Sequence, residues 1–514
     1  MNFKKQKVNY ESKSVEGVNE FLVKGEYLIP DTHPDVFNVL FIDVDPKITN
    51  TEAFTDKVFV EGEVTYNIIY TAKEDDKHDT YNISYSEKFN LYIETIDMKK
   101  ENNYNVSVEI VNIKDSLLNE RKVSVDCTLR FTAVSDETSE LDIICDVDGQ
   151  DDVQLLMKDF RVCEVVGTFS EELANETVVN VPLDKGEISK ILVCDANMYK
   201  TECKVLDGKI VYNAYCKIKV LYESVNLDDL CYIEQDVYLT KEVEAENISE
   251  NMLPMDNWDL TKFEYMVDED ESGESRIINV YITLKCNLKV LSNNTFSVID
   301  DAYSKDSFIN LVKNTYKMNE VCEYNNTDII VKDNVTVEET PLSIVYCTGR
   351  CTVTNKKVIE GKVVVDGVIK GEVTYKTNDE NKQLTSTSYE VPFTSSYENH
   401  NVRIDMNAVV RCNLESVEAF IEAKQIGIKA IVNVKTYVKS EIKKDVLVDM
   451  YKTQEETVEK NCSIIIYIAG DEDTLWSIAK KYCVPIDDIC RINNITEEDP
   501  ISGSKLIIPS KAVF

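Results

Sequence analysis

The segment Lys57–Tyr70 reads KVFVEGEVTYNIIY and alternates apolar with polar residues from end to end. A period of two is typical of a β-strand with one buried face. The same pattern returns 152 residues later at Lys209–Tyr222 (KIVYNAYCKIKVLY) and 153 residues after that at Lys362–Tyr375 (KVVVDGVIKGEVTY). A period this long matches a whole domain rather than a turn of a solenoid. The sequence therefore predicts three copies of one β-rich unit.

The repeat extends on both sides of this strand. Ile29–Tyr70 aligns with Val181–Tyr222 without a gap, and the identical positions include a proline, a leucine and an aspartate. Each copy also ends in a second alternating run, at Arg121–Phe131, Arg276–Val290 and Gln425–Val438. Several short alternating segments in about 150 residues are typical of a β-sandwich. We expect a mainly β fold of three tandem β-sandwich-like domains.

Gly62 and Gly367 occupy the same place in the first and third copies, and Ala214 occupies it in the second. Glycine within a strand often marks a turn or a bulge, because it has no Cβ. We expect one of these features at this position.

Acidic or polar segments separate the copies, namely Asp142–Asp152, Asp300–Asp306 and Lys452–Lys460. They predict β domains at residues 1–147, 148–302 and 303–451 and a C-terminal module at 463–511. Short helices are expected at Asp152–Asp159 and Ser307–Asn314, at the entrances of the second and third copies.

Length and charge restrict the function classes. A chain of 514 residues is too long for one core. The net charge of -37 disfavours nucleic acid and anionic membranes as partners. Because the N-terminal segment is polar and no apolar stretch reaches membrane-spanning length, we expect a cytoplasmic protein. The 15 cysteines include no C-x-x-C pair, which predicts reduced thiols in that compartment.

The sequence offers little catalytic chemistry. It has three histidines, no phosphate-binding loop and no zinc motif, so we expect no enzyme activity, no cofactor and no metal. Asp268–Asn279 imitates the start of a calcium loop, but its twelfth residue is Asn279 rather than glutamate. A solvated hairpin turn is the expected structure there.

The C-terminal segment has a different pattern. Ile464–Ala469 predicts a strand, and Thr474–Tyr482 predicts a helix with Asp473 as its N-cap. Pro485 is well placed to begin a second helix that ends at Ile492. A short strand at 505–508 completes a βααβ unit.

The motifs D-T-L-W-S-I-A at 473–479, R-I-N-N-I at 491–495 and G-S-K-L-I-I-P at 503–509 resemble the LysM family in order and spacing. The resemblance implies two helices on one side of a two-stranded sheet. In glycan-binding members, the first strand–helix loop and the second helix–strand loop line the sugar groove. Glu472 stands where such families usually have glycine, which argues against glycan binding here.

The three β repeats resemble the SPOCS domain of spore-coat and sporulation proteins. The whole arrangement resembles that of clostridial coat morphogenetic proteins. The resemblance implies a scaffold in the mother-cell cytosol, at the outer forespore surface. It also implies that the LysM module binds the coat basement-layer ATPase SpoIVA, with other coat proteins as further partners, and that the protein supports encasement of the forespore. The alternatives are a peptidoglycan-binding LysM protein and an enzyme hidden in the β repeats.

Five residues form the predicted partner-binding site. Trp476 is either part of the small core of the module or a partner anchor, since tryptophan is enriched at interface hot spots. Ile464 and Ile466 lie on one face of the first strand, which is apolar and not needed by the core. Asp473 and Lys480 complete the prediction, and Lys480 would suit an acidic partner.

Overall fold

The computed structural model describes residues 2–74, 77–100, 103–148, 152–225, 230–305, 307–378, 383–453 and 464–509. Strands dominate each repeat, and both helices of the described chain lie in the C-terminal module. Neither helix is long and apolar enough to cross a membrane.

Each repeat is built from strands in the same order. The first repeat contains β1 (Asn2–Leu28), β2 (Asn38–Phe54), β3 (Lys57–Glu74), β4 (Lys77–Glu94), β5 (Asn103–Asn119) and β6 (Lys122–Asp148). The second contains β7 (Val153–Asn180), β8 (Ile188–Leu206), β9 (Lys209–Ser224), β10 (Leu230–Glu244), β11 (Leu253–Glu269) and β12 (Ser275–Ser304). The third contains β13 (Phe308–Thr336), β14 (Pro341–Cys347), β15 (Arg350–Ile359), β16 (Lys362–Thr377), β17 (Leu384–Glu398), β18 (Asn407–Glu422) and β19 (Gln425–Thr453). The C-terminal module contains β20 (Ile464–Ile468), α1 (Leu475–Tyr482), α2 (Ile486–Asn493) and β21 (Lys505–Pro509).

Each repeat is a two-layer sandwich. In the first repeat, β6 pairs with both β1 and β5, and this layer packs on the sheet β2–β3–β4. Val60 and Tyr66 from one layer and Leu129 and Phe131 from the other are fully buried between them. The second repeat has the same arrangement, and in the third β14 and β15 together take the place of β2. The predicted β-sandwich-like repeats are confirmed.

The three segments that revealed the repeat are equivalent strands. β3, β9 and β16 are the central strands of their small sheets and begin at the three aligned lysines. The residue in front of each strand has a positive φ: 62° at Asp56, 74° at Gly208 and 73° at Gly361. Its N–H donates to the carbonyl of Met98, Ile248 or Val402, in the order of the repeats. The same left-handed turn therefore starts each central strand.

The bulge predicted at Gly62 is present, but in the neighbouring strand rather than in β3 itself, and Gly367 faces the same irregularity. Gly62 lies inside β3, directly opposite Phe89, and a Cβ there would come within 2.3 Å of the Lys47 carbonyl oxygen and 2.4 Å of the Phe89 ring. The irregularity in pairing occurs in the neighbouring strand β2, between Ile48 and Asn50. Glycine is needed at this position because the ring and the Lys47 carbonyl group fill the space that a side chain would take.

At this position, a smaller residue on the central strand faces a larger residue on the neighbouring strand, and a larger residue on one side goes with a smaller one on the other. Gly62 faces Phe89, Gly367 faces Phe393, and Ala214 faces the smaller Leu239.

The two predicted entrance helices are wrong. Residues 153–159 belong to β7 and residues 308–314 belong to β13, which pair with the last strands of their repeats, β12 and β19. We call the antiparallel pairs β1–β6, β7–β12 and β13–β19 the long ribbons. Pairing within them supplies the backbone hydrogen bonds, and apolar side chains such as Leu155 and Leu311 pack at the ribbon ends. Tertiary contacts thus override a short local pattern. Of the predicted separators, residues 149–151, 306 and 454–460 lie outside the described residues, and the domain boundaries stay predictions.

Equivalent residues of the three repeats meet each other. One buried cluster contains Phe41, Val193 and Tyr346, one from each repeat, and each directly follows the same pairing irregularity. A second buried cluster, at the ribbon ends, contains Ile144, Ile299 and Leu447. Each of these residues directly precedes the same pairing irregularity of its repeat. Three aligned positions can meet at one point only around a common axis. The repeats therefore form one body with approximate threefold symmetry.

A buried ionic cluster breaks this symmetry where the ribbons meet. The Glu11 carboxylate accepts hydrogen bonds from Lys289 Nζ at 3.0 Å and from Lys439 Nζ at 2.9 Å. Lys289 also pairs with Asp136. Acids of the first repeat thus bind lysines of the second and third, at a junction where Glu11 is almost fully buried.

Two minor expectations concern the hairpin and the cysteines. The segment that imitates a calcium loop is the hairpin between β11 and β12, and the Asp270 carboxylate accepts from the backbone N–H groups of Ser272 and Glu274. The cysteines that the structure describes are free thiols, and Cys203 and Cys286 place their sulfur atoms 3.6 Å apart. Their redox state in the cell stays a prediction.

Candidate partner-binding site in the LysM-like module

The module has the predicted βααβ order. β20 pairs antiparallel with β21, and both helices pack on one side of this two-stranded sheet. Ile478 and Ala479 of α1, Ile489 of α2 and Ile508 of β21 form its buried centre. The amphipathic spacing of these residues explains why two short helices suffice to cover the sheet.

The N-cap of α1 is Thr474 and not Asp473. Thr474 Oγ1 accepts from the Ser477 N–H and Ser477 Oγ accepts from the Thr474 N–H, a reciprocal capping box. Asp473 instead accepts from the Gly470 N–H and the Tyr467 hydroxyl, both at 2.8 Å. These hydrogen bonds, that of Gly470 first, lower the pKa of Asp473. Asp473 therefore shapes the loop between β20 and α1.

The other side of the sheet is apolar and exposed. Ile464, Ile466 and Ile468 are 63%, 71% and 63% exposed, and Ile507 lies beside Ile466 on β21. We call these four residues the isoleucine face. Their alternation with Ile465 and Tyr467, which pack toward the helices, follows from strand geometry. The face is a compact apolar surface that the module does not use for its own core.

The loops that line the sugar groove in glycan-binding LysM domains carry carboxylates here. Asp471 and Glu472 are exposed, and Ser502 Oγ of the second loop donates to Asp471 at 2.5 Å. The Gly503 N–H also donates to the Ala469 carbonyl at 2.8 Å. The two loops are therefore bonded to each other, with acidic side chains around the contact.

Trp476 and Lys480 contact the second repeat. Trp476 Nε1 donates to Asp301 Oδ2 at 2.8 Å, and Lys480 Nζ donates to Asp301 Oδ1 at 2.6 Å. The Trp476 ring packs edge-on against Tyr303, with 5.0 Å between ring centroids. Partial burial opposes ionisation of Asp301, but the hydrogen bonds from Lys480 and Trp476 outweigh it and lower its pKa. Trp476 is half-buried in this contact.

The five predicted site residues thus separate into three groups. Ile464 and Ile466 lie on the isoleucine face, Trp476 and Lys480 lie against the second repeat, and Asp473 lies in the loop. No observation tests whether a partner binds any of them, so these assignments stay predictions.

Sequence reasoning missed four residues that complete these groups. Ile468 and Ile507 belong to the isoleucine face, and the spacing of 464, 466 and 468 could have revealed the first of them. Asp301 and Tyr303 lie far from the module in sequence, and no local pattern connects them to Trp476.

Comparison with known proteins identifies the parts of this architecture. The family model described as "SipL, SPOCS domain" matches residues 35–118, 187–268 and 342–422, one match in each repeat. The LysM domain model matches residues 467–509. The fold and these matches define a protein with three SPOCS domains followed by a LysM domain. The chain matches the SipL-like architecture, and it is a sporulation coat-related protein with a LysM module.

Other comparisons add little. No curated protein matches the sequence. Among solved structures, the ferric yersiniabactin uptake receptor FyuA from Yersinia pestis is 9% identical, with 86% of this chain and 81% of that chain covered. Its TM-score of 0.10 is too low to carry an argument.

Proposed function

We propose that the protein is a non-enzymatic scaffold of spore coat assembly. Its LysM module binds the coat basement-layer ATPase SpoIVA, and the protein supports encasement of the forespore by coat. It acts in the mother-cell cytosol, at the outer forespore surface. The family relation of all four domains supports this proposal.

The isoleucine face carries the proposal for the LysM module. A cluster of large apolar side chains on a module this small is costly in water unless a partner covers it. The chain as a whole carries a net charge of -37, so an uncharged patch stands out from its surface. Interfaces are depleted of charge at their centres and accept apolar side chains there. The face is the surface of the module that best suits a protein partner.

The test substitutes the centre of the face. Ile466→Asp in the full chain places a charge on an exposed site, so the module should remain folded. We expect affinity for purified SpoIVA to fall by about 30-fold or more, as for a residue at an interface hot spot. Ile330→Asp is the matched control, because Ile330 is 65% exposed on a strand of the third repeat. Equal affinity of both variants and the parent would contradict the proposal.

Peptidoglycan binding is the other function that a LysM domain supports. The acidic loops argue against it, because Asp471 and Glu472 lie where sugar-binding members form their groove. Sedimentation of the full chain with purified peptidoglycan separates the two functions. Binding to the wall that Ile466→Asp leaves unchanged, without binding to SpoIVA, would favour the peptidoglycan function.

The proposal includes no catalytic step. His33 contacts its neighbour Thr32 in a loop of the first repeat, and His400 lies in a turn of the third. Within the described ranges, no three histidine, cysteine or acidic side chains are arranged to hold a metal ion.

A further inference from the structure

The contact between the module and the second repeat has the composition of a specific docking site. Asp301 accepts from two different donors of α1, and the Tyr303 hydroxyl donates to the Val484 carbonyl at 2.8 Å. Tyr303 is only 4% exposed and joins the same apolar cluster as the core of the module. The Tyr303 ring is buried with its hydroxyl hydrogen-bonded, and the Asp301 carboxylate beside it accepts two hydrogen bonds. Together these contacts fix the position and the orientation of the module.

The same place in the other repeats shows what the site requires. The aligned triplets are Asp146-Val147-Asp148, Asp301-Ala302-Tyr303 and Asp449-Met450-Tyr451, each after the same pairing irregularity. All three have the first aspartate, but the first repeat lacks the tyrosine ring. In the third repeat, Tyr451 is 45% exposed. The module contacts the triplet of the second repeat.

We propose that Asp301 and Tyr303 form a dedicated docking site for the LysM module of the same chain. The docked module turns its Trp476 side toward the repeats and its isoleucine face outward. Trp476 and Lys480 then serve the docking contact, and SpoIVA binds the isoleucine face while the module stays docked. This last step rests on the proposed function.

Tryptophan fluorescence tests the docking. The chain has two tryptophans, so Trp258→Phe leaves Trp476 as the single reporter. In that background, Asp301→Ala removes the acceptor of both Trp476 and Lys480. We expect a red-shifted emission and at least a twofold larger acrylamide quenching constant. Asp449→Ala changes the aligned residue of the third repeat and should leave both readings unchanged.

Two further observations make the result decisive. Tyr303→Phe keeps the ring but removes the hydrogen bond to Val484, so its effect should have the same direction and be smaller. Circular dichroism and melting of each variant verify that the repeats remain folded. Docking is refuted if Trp476 in Asp301→Ala is as protected as in the parent, or if Asp449→Ala exposes it equally.

Binding of SpoIVA tests the outward orientation separately. We expect Asp301→Ala to keep its affinity within about twofold of the parent. A tenfold gain would show that SpoIVA competes with Asp301 for Trp476, which overturns the assignment of faces. If the parent does not bind SpoIVA at all, the proposed function and the outward-binding step both fail, while the fluorescence result still decides whether the module is docked.

Discussion

The junction of the three repeats and the contact that holds the LysM module use similar groups in different surroundings. Both pair lysine with a carboxylate. At the junction, the side chains of Glu11 and Lys439 are 4% and 9% exposed, whereas Asp301 and Lys480 are 21% and 43% exposed. Buried pairs are costly to break, and exposed pairs contribute little. The junction therefore holds the repeats in one body, and the module is attached by a contact that can open without unfolding that body.

The junction also shows why the copies are not interchangeable. Its acids come from the first repeat and its lysines from the other two. A buried charge is tolerated only beside a partner of opposite sign, so each repeat fits one place around the axis.

Removal of Glu11 should have the largest effect. Glu11→Ala leaves Lys289 and Lys439 buried with Asp136 as the remaining acid of the cluster. Breaking a buried pair from one side costs about 3–5 kcal/mol. We expect a large decrease in the melting temperature and urea midpoint of the full chain.

Glu16→Ala is the control for this variant. Glu16 lies on the same strand but pairs with Lys356 at an exposed site. Its loss should cost at most about 1 kcal/mol. Similar destabilisation by the two variants would contradict the distinction between buried and exposed pairs.

A second test addresses packing inside one sandwich. Gly367→Ala places a methyl group against Phe393 and should destabilise the third repeat by about 1–3 kcal/mol. Adding Phe393→Leu recreates the Ala214–Leu239 pair of the second repeat and should recover much of that loss. Thermal melts of the single and double variants measure the recovery. If the double variant is no more stable than Gly367→Ala, cross-strand volume is not the reason for the glycine.

Some of this organisation could be predicted from sequence and some could not. The alternation in Lys57–Tyr70 and its two copies predicts the central strands, because strand periodicity is local. The same holds for the helical spacing of the LysM module. The entrance helices were wrong because pairing with distant strands decides the structure of Val153–Asn180. The contact of Trp476 with Asp301 joins residues 175 positions apart, and no local pattern reports such a contact.

A third test concerns pH and a buried acid near the meeting point of the small sheets. Burial and the charge of Asp43 raise the pKa of Asp195 to about 7, against opposing effects of Lys219 and Arg350. Asp195 Oδ1 has no hydrogen-bond partner among the described residues. Because the folded pKa exceeds the unfolded value, the stabilisation present at low pH is lost as pH rises toward 7.

Asp195→Asn should therefore stabilise the body at pH 8, on the order of 2 kcal/mol relative to its effect at pH 5. Melting temperatures of parent and variant across this range provide the measurement. Parallel curves for the two proteins would show that Asp195 is not the titrating group.

The smallest expected effect belongs to the LysM module. Thr474→Ala removes the hydroxyl that accepts from the Ser477 N–H and breaks the capping box of α1. Loss of such a cap costs about 1 kcal/mol. The module has a small core of its own, so this loss should appear as faster hydrogen exchange in 464–509, while the repeats exchange as in the parent.

Asp473→Asn is the control variant, because Asp473 does not cap the helix and orders the preceding loop. We expect it to increase exchange in that loop and to leave α1 protected. Faster exchange throughout the repeats after Thr474→Ala would show instead that module and body unfold together, and the separation between junction and docking contact would not hold.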